Sequence, residues 1–156
     1  MTGLNQKIIL IADNIRSALN IGSLFRTADA VGVGEIILCG TTPTPDHPKV
    51  AKTALGAELR ISWQHAAHTW RTIEDLKSQG VRIVALEQSK HSITYTNYKP
   101  SFPLALVIGN EVSGISPAIL RRCDDIIEIP MQGIKESLNV TVAAGIALYK
   151  LNEYRI

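Results

Sequence analysis

Three polar clusters in this chain have the residue types and spacing to do chemistry. The first, Asn20-Ile-Gly22-Ser23-Leu-Phe-Arg26-Thr27-Ala-Asp29, sets an amide and a guanidinium among apolar positions. Arg26 could hold a phosphate or stabilise developing negative charge. The simpler reading makes it a solvated side chain paired with Asp29, a contact worth only roughly tenths of a kcal/mol. The second, Ile108-Gly109-Asn110-Glu111-Val112-Ser113-Gly114, follows an apolar run with a glycine, an acid and another glycine. Glycines there let a backbone approach a ligand closely, and Glu111 adds a carboxylate; a tight turn with a solvated acid fits the same residues. The third runs from Ile129-Pro130-Met131 through Gly133 to Ser137-Leu138-Asn139. Ser137 or Asn139 is expected to cap the helix that follows, leaving the other, with unpaired backbone N–H groups, to face a ligand.

Familiar chemistries are missing. The turn after the first apolar run lacks the G-x-G-x-x-G that brings a backbone to a pyrophosphate, and Gly32-Val-Gly34 ends a helix instead of opening one. Gly109 and Gly114 have the glycine spacing of a phosphate-binding loop, but Ile115-Ser116 stands where Lys-Ser/Thr is required. No G-x-S-x-G elbow offers a nucleophile. Cys39 and Cys123 are isolated and read as core thiols, and His65 and His68, placed on one helix face, lack a third ligand. No metal is expected.

The elements that must position these clusters are short apolar runs alternating with helical patterns. Lys7–Asp13, Glu35–Leu38, Arg82–Leu86, Leu104–Ile108 and Ile126–Ile129 read as buried strands. Ile21, Leu24, Phe25, Ala28 and Val31 mark a helix ended by Gly32, with Asn20 able to cap it. His65 to Gln79 reads as a second helix, and Val140 to Leu151 as a last one of about four turns. The pattern predicts an α/β fold with a mostly parallel sheet, helices on both faces, and ligands beyond the carboxyl ends of its strands. Gly40–Pro48, with three prolines, is expected to be a surface excursion. Gln88–Asn110 has no acidic residue and interleaves Lys90, His91 and Lys99 with Tyr95, Tyr98 and Phe102. That suits RNA contact, but aromatics packed under an ordinary crossover are the preferred explanation.

The chain has 156 residues, 46% hydrophobic and 19% charged, with a net charge of +2. One domain, residues 1–156, accommodates that length, and a core of this size needs no disulfide or metal staple. No apolar run is long enough to span a membrane, and Met1–Lys7 lacks the pattern of a secretion signal, so a cytoplasmic protein is expected. Near-neutral charge permits a nucleic-acid partner without requiring one.

Taken in order, the clusters Asn20-x-Gly22-x-x-x-Arg26-Thr27, Gly109-x-Glu111-x-x-Gly114-Ile115-Ser116 and Ile129-Pro130-Met131-x-Gly133-x-x-x-Ser137-Leu138-Asn139-Val140 resemble the three signature motifs of the SpoU/TrmH class of SPOUT RNA methyltransferases. Lys52–Glu58 also resembles a connecting element of that family. The resemblance implies a C-terminal trefoil knot and methyl transfer from S-adenosylmethionine to a ribose 2′-hydroxyl in RNA. It further implies a cofactor pocket lined by Gly109, Glu111, Ile129, Met131, Gly133, Ser137, Leu138 and Asn139. Arg26 corresponds to the family's catalytic arginine and Asn20 to its motif asparagine, with Glu111, Ser137 and Asn139 completing the catalytic set. A homodimer joined through the first and last helices and a composite site using Arg26 are likewise implied; a bare core of this length, without a separate RNA-binding extension, is expected to take tRNA in preference to rRNA. A protein of the same fold that binds S-adenosylmethionine or RNA without catalysis is the alternative, and a different α/β enzyme with coincidental clusters is a third reading.

Overall fold

Runs of isoleucine, leucine and valine favour extended backbone and here form strands covered on both faces. The structure, a computed structural model, describes residues 4–155; Met1–Gly3, part of the segment read for a secretion signal, lie outside the described residues. In chain order the strands are β1 (Ile8–Asp13), β2 (Glu35–Cys39), β3 (Ser62–Ala66), β4 (Arg82–Leu86), β5 (Ile93–Thr94), β6 (Leu104–Ile108) and β7 (Asp125–Glu128). The helices are α1 (Ala18–Val31), α2 (Pro48–Ala54), α3 (Thr69–Ser78), α4 (Pro117–Leu120) and α5 (Val140–Asn152). One seven-stranded sheet, in the order β3-β2-β1-β6-β4-β7-β5, takes every strand in parallel. All carboxyl ends therefore point to one edge.

Because side chains alternate across a strand, each face collects its own core. Ile8, Leu10 and Ala12 of β1 join Ile36, Leu38, Leu106 and Ile108 under α1, α2 and α5. Ile9 and Ile11 join Ile37, Val107 and Ile83 under α3 and α4, through Ile73, Leu76 and Ile119. Each fully buried isoleucine or leucine contributes about 1.5–3 kcal/mol relative to an exposed one. The expected layers, helices on both faces of a parallel sheet, are thus present.

Several local expectations are corrected. Ser17, not Asn20, caps α1: its hydroxyl accepts from the Asn20 N–H at 3.1 Å, which starts the helix a turn earlier. The stretch read as a helix from His65 to Gln79 begins with the last two residues of β3 and contains the shorter α3. His65 and His68 therefore share no helix face; His65 lies on β3 and His68 is the residue before α3. β3 escaped the pattern because it is an edge strand with mostly exposed side chains. Nor is Gly40–Pro48 a mere excursion: Thr42 is buried, donates to the carbonyls of Cys39 or Ala12 and accepts from the Ile15 N–H. The strand placed at Ile126–Ile129 runs one residue earlier.

The preferred account of the β4–β6 crossover holds. Tyr98 is buried and donates to Asp125 at 2.7 Å, while Tyr95 and Phe102 pack against the core. Arg82 grips the same Asp125 with two bonds of 2.9 Å, holding that carboxyl below its ordinary range. Cys39 is buried and Cys123 half-buried; burial pushes the Cys123 thiol up to about 12, an unreactive thiol.

Gly22 fixes how α1 meets α2. A Cβ there would stand 1.9 Å from Thr53 Oγ1 and 2.3 Å from the Val50 carbonyl oxygen, so the helices touch backbone to backbone. Gly22→Ala is expected to destabilise the fold by about 1–3 kcal/mol or more, read as a lowered midpoint in urea unfolding.

Candidate active site

The carboxyl edge of the sheet is organised by the loop that leaves β6. Asn110 Oδ1 accepts from the N–H groups of Val112 and Ser113, closing a tight turn, and its amide donates to the Asn14 carbonyl at 2.8 Å. Glu111 reaches across to α1. Its Oε2 accepts from the Arg16 N–H at 3.0 Å, and its Oε1 accepts from the Ser17 N–H and the Asn20 amide, each at 3.2 Å. A carboxylate thus sits at the positive end of α1, the favourable end for negative charge. Burial by itself raises the Glu111 pKa, but these bonds and its own backbone N–H together prevail and lower it.

The loop's other side is tied to β4. Glu87 Oε2 accepts from the Ile115 N–H at 2.9 Å and its Oε1 from the Gln88 N–H at 3.0 Å. Gly109 and Gly114 are needed for this closeness: a Cβ on Gly109 would meet Gly114 backbone at 2.6 Å, and one on Gly114 would meet Glu87 Oε2 at 2.3 Å. Glu87 and Asn110 were not singled out from sequence. The available signal was position, since each follows a buried strand at its carboxyl end.

Between this loop, β4 and the start of α5 lies a cavity of about 240 Å³. Of the residues expected to line a pocket, Gly109, Glu111, Ile129, Met131, Ser137, Leu138 and Asn139 all contribute to its wall. Gly133 lies in the same loop but not on the wall, and a Cβ there would meet nothing within 4 Å. Asn139 caps α5, accepting from the Thr141 N–H at 2.8 Å; the capping expectation is met by Asn139, which leaves Ser137 free. Gln88 donates to the Glu136 carbonyl at 2.8 Å and anchors the Ile129–Asn139 segment.

Asn20 and Arg26 do not line this cavity. Asn20 touches it through Glu111. Arg26 is exposed a turn and a half further along α1, beside Leu55, Leu59 and Arg60, and makes no ion pair with Asp29 among the described residues. The simple surface pair is therefore absent. Among the described residues no cluster suits a metal ion, and no helix is long and apolar enough to cross a membrane.

A parallel sheet between helical layers, with polar loops lining a cavity at its carboxyl edge, is the α/β architecture in which ligands bind outside the strand ends. The chain belongs to the SpoU rRNA Methylase family, whose pattern it matches over residues 7–149. It is 35% identical over 150 residues to YacO of Bacillus subtilis, described as a TrmH family tRNA/rRNA methyltransferase, covering 96% of this chain and 60% of that protein. Its fold is similar to an AdoMet-bound rRNA methyltransferase from Sinorhizobium meliloti, at TM-score 0.90 and 29% identity over 100% of this chain and 58% of the other. It is also similar to an RNA 2′-O ribose methyltransferase, at TM-score 0.85 and 25% identity over 98% of this chain and 58% of that one. The chain spans about 60% of the length of the curated relatives it matches.

Because Glu111 has a lowered pKa, its contribution to stability is present above its ordinary value of 4.5 and is lost as pH falls through the lower folded-state value. Glu111→Gln, which cannot accept from both the Arg16 and Ser17 N–H groups through ionised oxygens, is expected to be less stable than wild type at neutral pH. Urea midpoints measured across pH should converge for the two proteins below that range.

Proposed function

We propose that this chain transfers a methyl group from S-adenosylmethionine to a ribose 2′-hydroxyl of RNA, with S-adenosylhomocysteine as the product. The observation that carries the reading is the convergence of Glu111 from the second motif with Ser137 and Asn139 from the third on one cavity in a chain of this family. The cavity fits the cofactor chemically. Leu86, Ile108, Ile129, Leu138 and Val140 offer apolar surface for an adenine, while Glu87, Glu111 and Glu128 offer negative charge to a sulfonium and an ammonium.

When bound, the cofactor would supply an electrophilic methyl to the ribose oxygen, its sulfonium leaving as the thioether of S-adenosylhomocysteine and the hydroxyl proton passing to solvent. The chain's own residues position and stabilise. Gly109 lets the backbone come close, and Ile129, Met131, Gly133 and Leu138 shape the loop around the ligand. Ser137, with a hydroxyl lacking a protein partner among the described residues, and the amide nitrogen of Asn139 hydrogen-bond ligand or ribose. Asn20 fixes Glu111. Arg26 anchors the neighbouring phosphate and stabilises charge developing on the oxygen; a guanidinium is a poor proton acceptor.

Arg26 faces away from the cavity of its own chain, which supports a homodimer with a composite site. Leu19 on α1 and Val142 and Tyr149 on α5 are 44%, 50% and 52% exposed, an apolar surface suited to burial against a second copy. Notably, α1 and α5 pack together in the monomer, so these residues belong to one layer. The same reading includes a single catalytic domain over residues 1–156, a trefoil knot through which α5 is threaded, a cytoplasmic setting and tRNA in preference to rRNA as substrate.

Saturating S-adenosylhomocysteine, at about 100 times its dissociation constant, is expected to add about 2.7 kcal/mol of stability in a thermal-shift assay. Labelled methyl should pass to RNA and resist base-specific removal. Arg26→Ala should lose on the order of a hundred-fold or more in turnover with unchanged S-adenosylhomocysteine affinity. Cofactor binding without transfer to any RNA pool would overturn catalysis. Light scattering is expected to give twice the chain mass, and Tyr149→Glu should shift it toward the monomer.

A further inference from the structure

We infer that a second cleft, across the Gly109–Gly114 loop from the cofactor cavity, is a pocket for an unpaired, amino-bearing nucleobase of the RNA, stacked on Trp70 and read by Asp13. The inference rests on the RNA reading above and adds to it a subsite that selects sequence. The cleft has a volume of about 490 Å³ and shares Asn110 and Gly114 with the first cavity, so one loop separates the two. It opens on the α3 face because Asp13 continues the Ile9 and Ile11 side of β1.

Asp13 lies at its floor and is 6% exposed. Both donors that reach it, the Thr69 hydroxyl and the Asn14 amide, bond to Oδ1. Oδ2 has no protein partner, yet among the described residues no sealed side-chain oxygen is left unbonded. The free oxygen therefore meets the cleft. A carboxylate this poorly solvated gains most from an N–H donor brought by a ligand.

The wall supplies the rest of a nucleotide site. Trp70 is 40% exposed, with the His68 ring 6.2 Å away at an interplanar angle of 28°. Off the cleft wall, the guanidiniums of Arg71 and Arg122 lie over the indole, 5.1 and 5.5 Å from its centroid, and Arg122 is also paired with Glu74 at 2.8 Å. A part-exposed indole beside an imidazole on the wall of a cleft is a surface on which a base stacks, and guanidiniums nearby favour its phosphate. With Oδ1 already occupied, one acceptor remains, which suits the exocyclic amine of cytosine or adenine. Uracil presents its N–H between two carbonyl oxygens that would oppose the carboxylate.

The chain has two tryptophans, so Trp63→Phe leaves Trp70 as the sole indole reporter. Titration of that protein with short oligocytidylate is expected to quench fluorescence saturably, with oligouridylate binding on the order of ten-fold more weakly. Trp70→Ala, at an exposed site, should weaken oligocytidylate binding on the order of ten-fold by anisotropy and leave S-adenosylhomocysteine affinity unchanged. Asp13→Asn, with circular dichroism matching wild type, should reverse the preference toward uridylate by placing an amide donor in the cleft. Oligonucleotide binding without quenching, or equal affinities unaltered by Trp70→Ala, would overturn the subsite. Methyl transfer without quenching sinks the subsite alone; quenching without methyl transfer sinks the catalytic reading alone; no RNA binding sinks both.

Discussion

Glu111 leaves the end of one strand and is bound by the first turn of a helix that follows another. The bonds from the Arg16 and Ser17 N–H groups and the Asn20 amide join segments more than ninety residues apart in sequence. Such a contact is worthwhile because both sides need it: the start of α1 has N–H groups without intrahelical partners, and the carboxylate is partly desolvated. With Asn110 on the Asn14 carbonyl and Glu87 on the Ile115 N–H, it holds the β6–α4 loop from three directions. The shape of both clefts follows from that clamp, since the loop forms a wall of each.

The parallel sheet makes the arrangement possible. With every strand running the same way, the polar loops after β1, β2, β4, β6 and β7 emerge at one edge, while the apolar strand bodies are sealed between two helical layers. Unpaired backbone and free polar side chains survive at that edge because they meet solvent there, as they could not between the helical layers. Opposite faces of the edge then diverge in chemistry: one is bounded by α5 and rich in carboxylates, the other by α3 and lined by an indole, an imidazole and the single carboxylate of Asp13.

Legibility tracked burial. β1, β4 and β6 were plain because their residues are buried on both faces and must be apolar throughout. β3 is not legible because an exposed edge strand is free to be polar: Ser62–Ala66 carries no period of two, and its last two residues, His65 and Ala66, read equally well as the start of a helix. The start of α1 was misplaced because Ser17 and Asn20 are both good caps, and choosing between them depends on Glu111 drawing in the Asn20 amide. At the site, Glu111, Ser137 and Asn139 were legible as chemistry. Glu87 was not, since a lone acid after a strand looks like any solvated one until its oxygens are seen capping two backbone N–H groups.

The chain's own pattern of apolar runs and glycine-bounded polar clusters determined the fold class, the edge at which ligands sit and the family, because those depend on local periodicity and on ordered motifs. Tertiary structure alone decided that Asn139 spends its oxygen on a helix cap, that Asn20 serves Glu111, that Arg26 turns away from the cavity of its own chain, and that Asp13 keeps one oxygen open to a second cleft. Three of these are matters of which atom is already bonded, and the placing of Arg26 is a matter of where it falls on α1. That allocation is made between residues distant along the chain, where no sequence spacing records it.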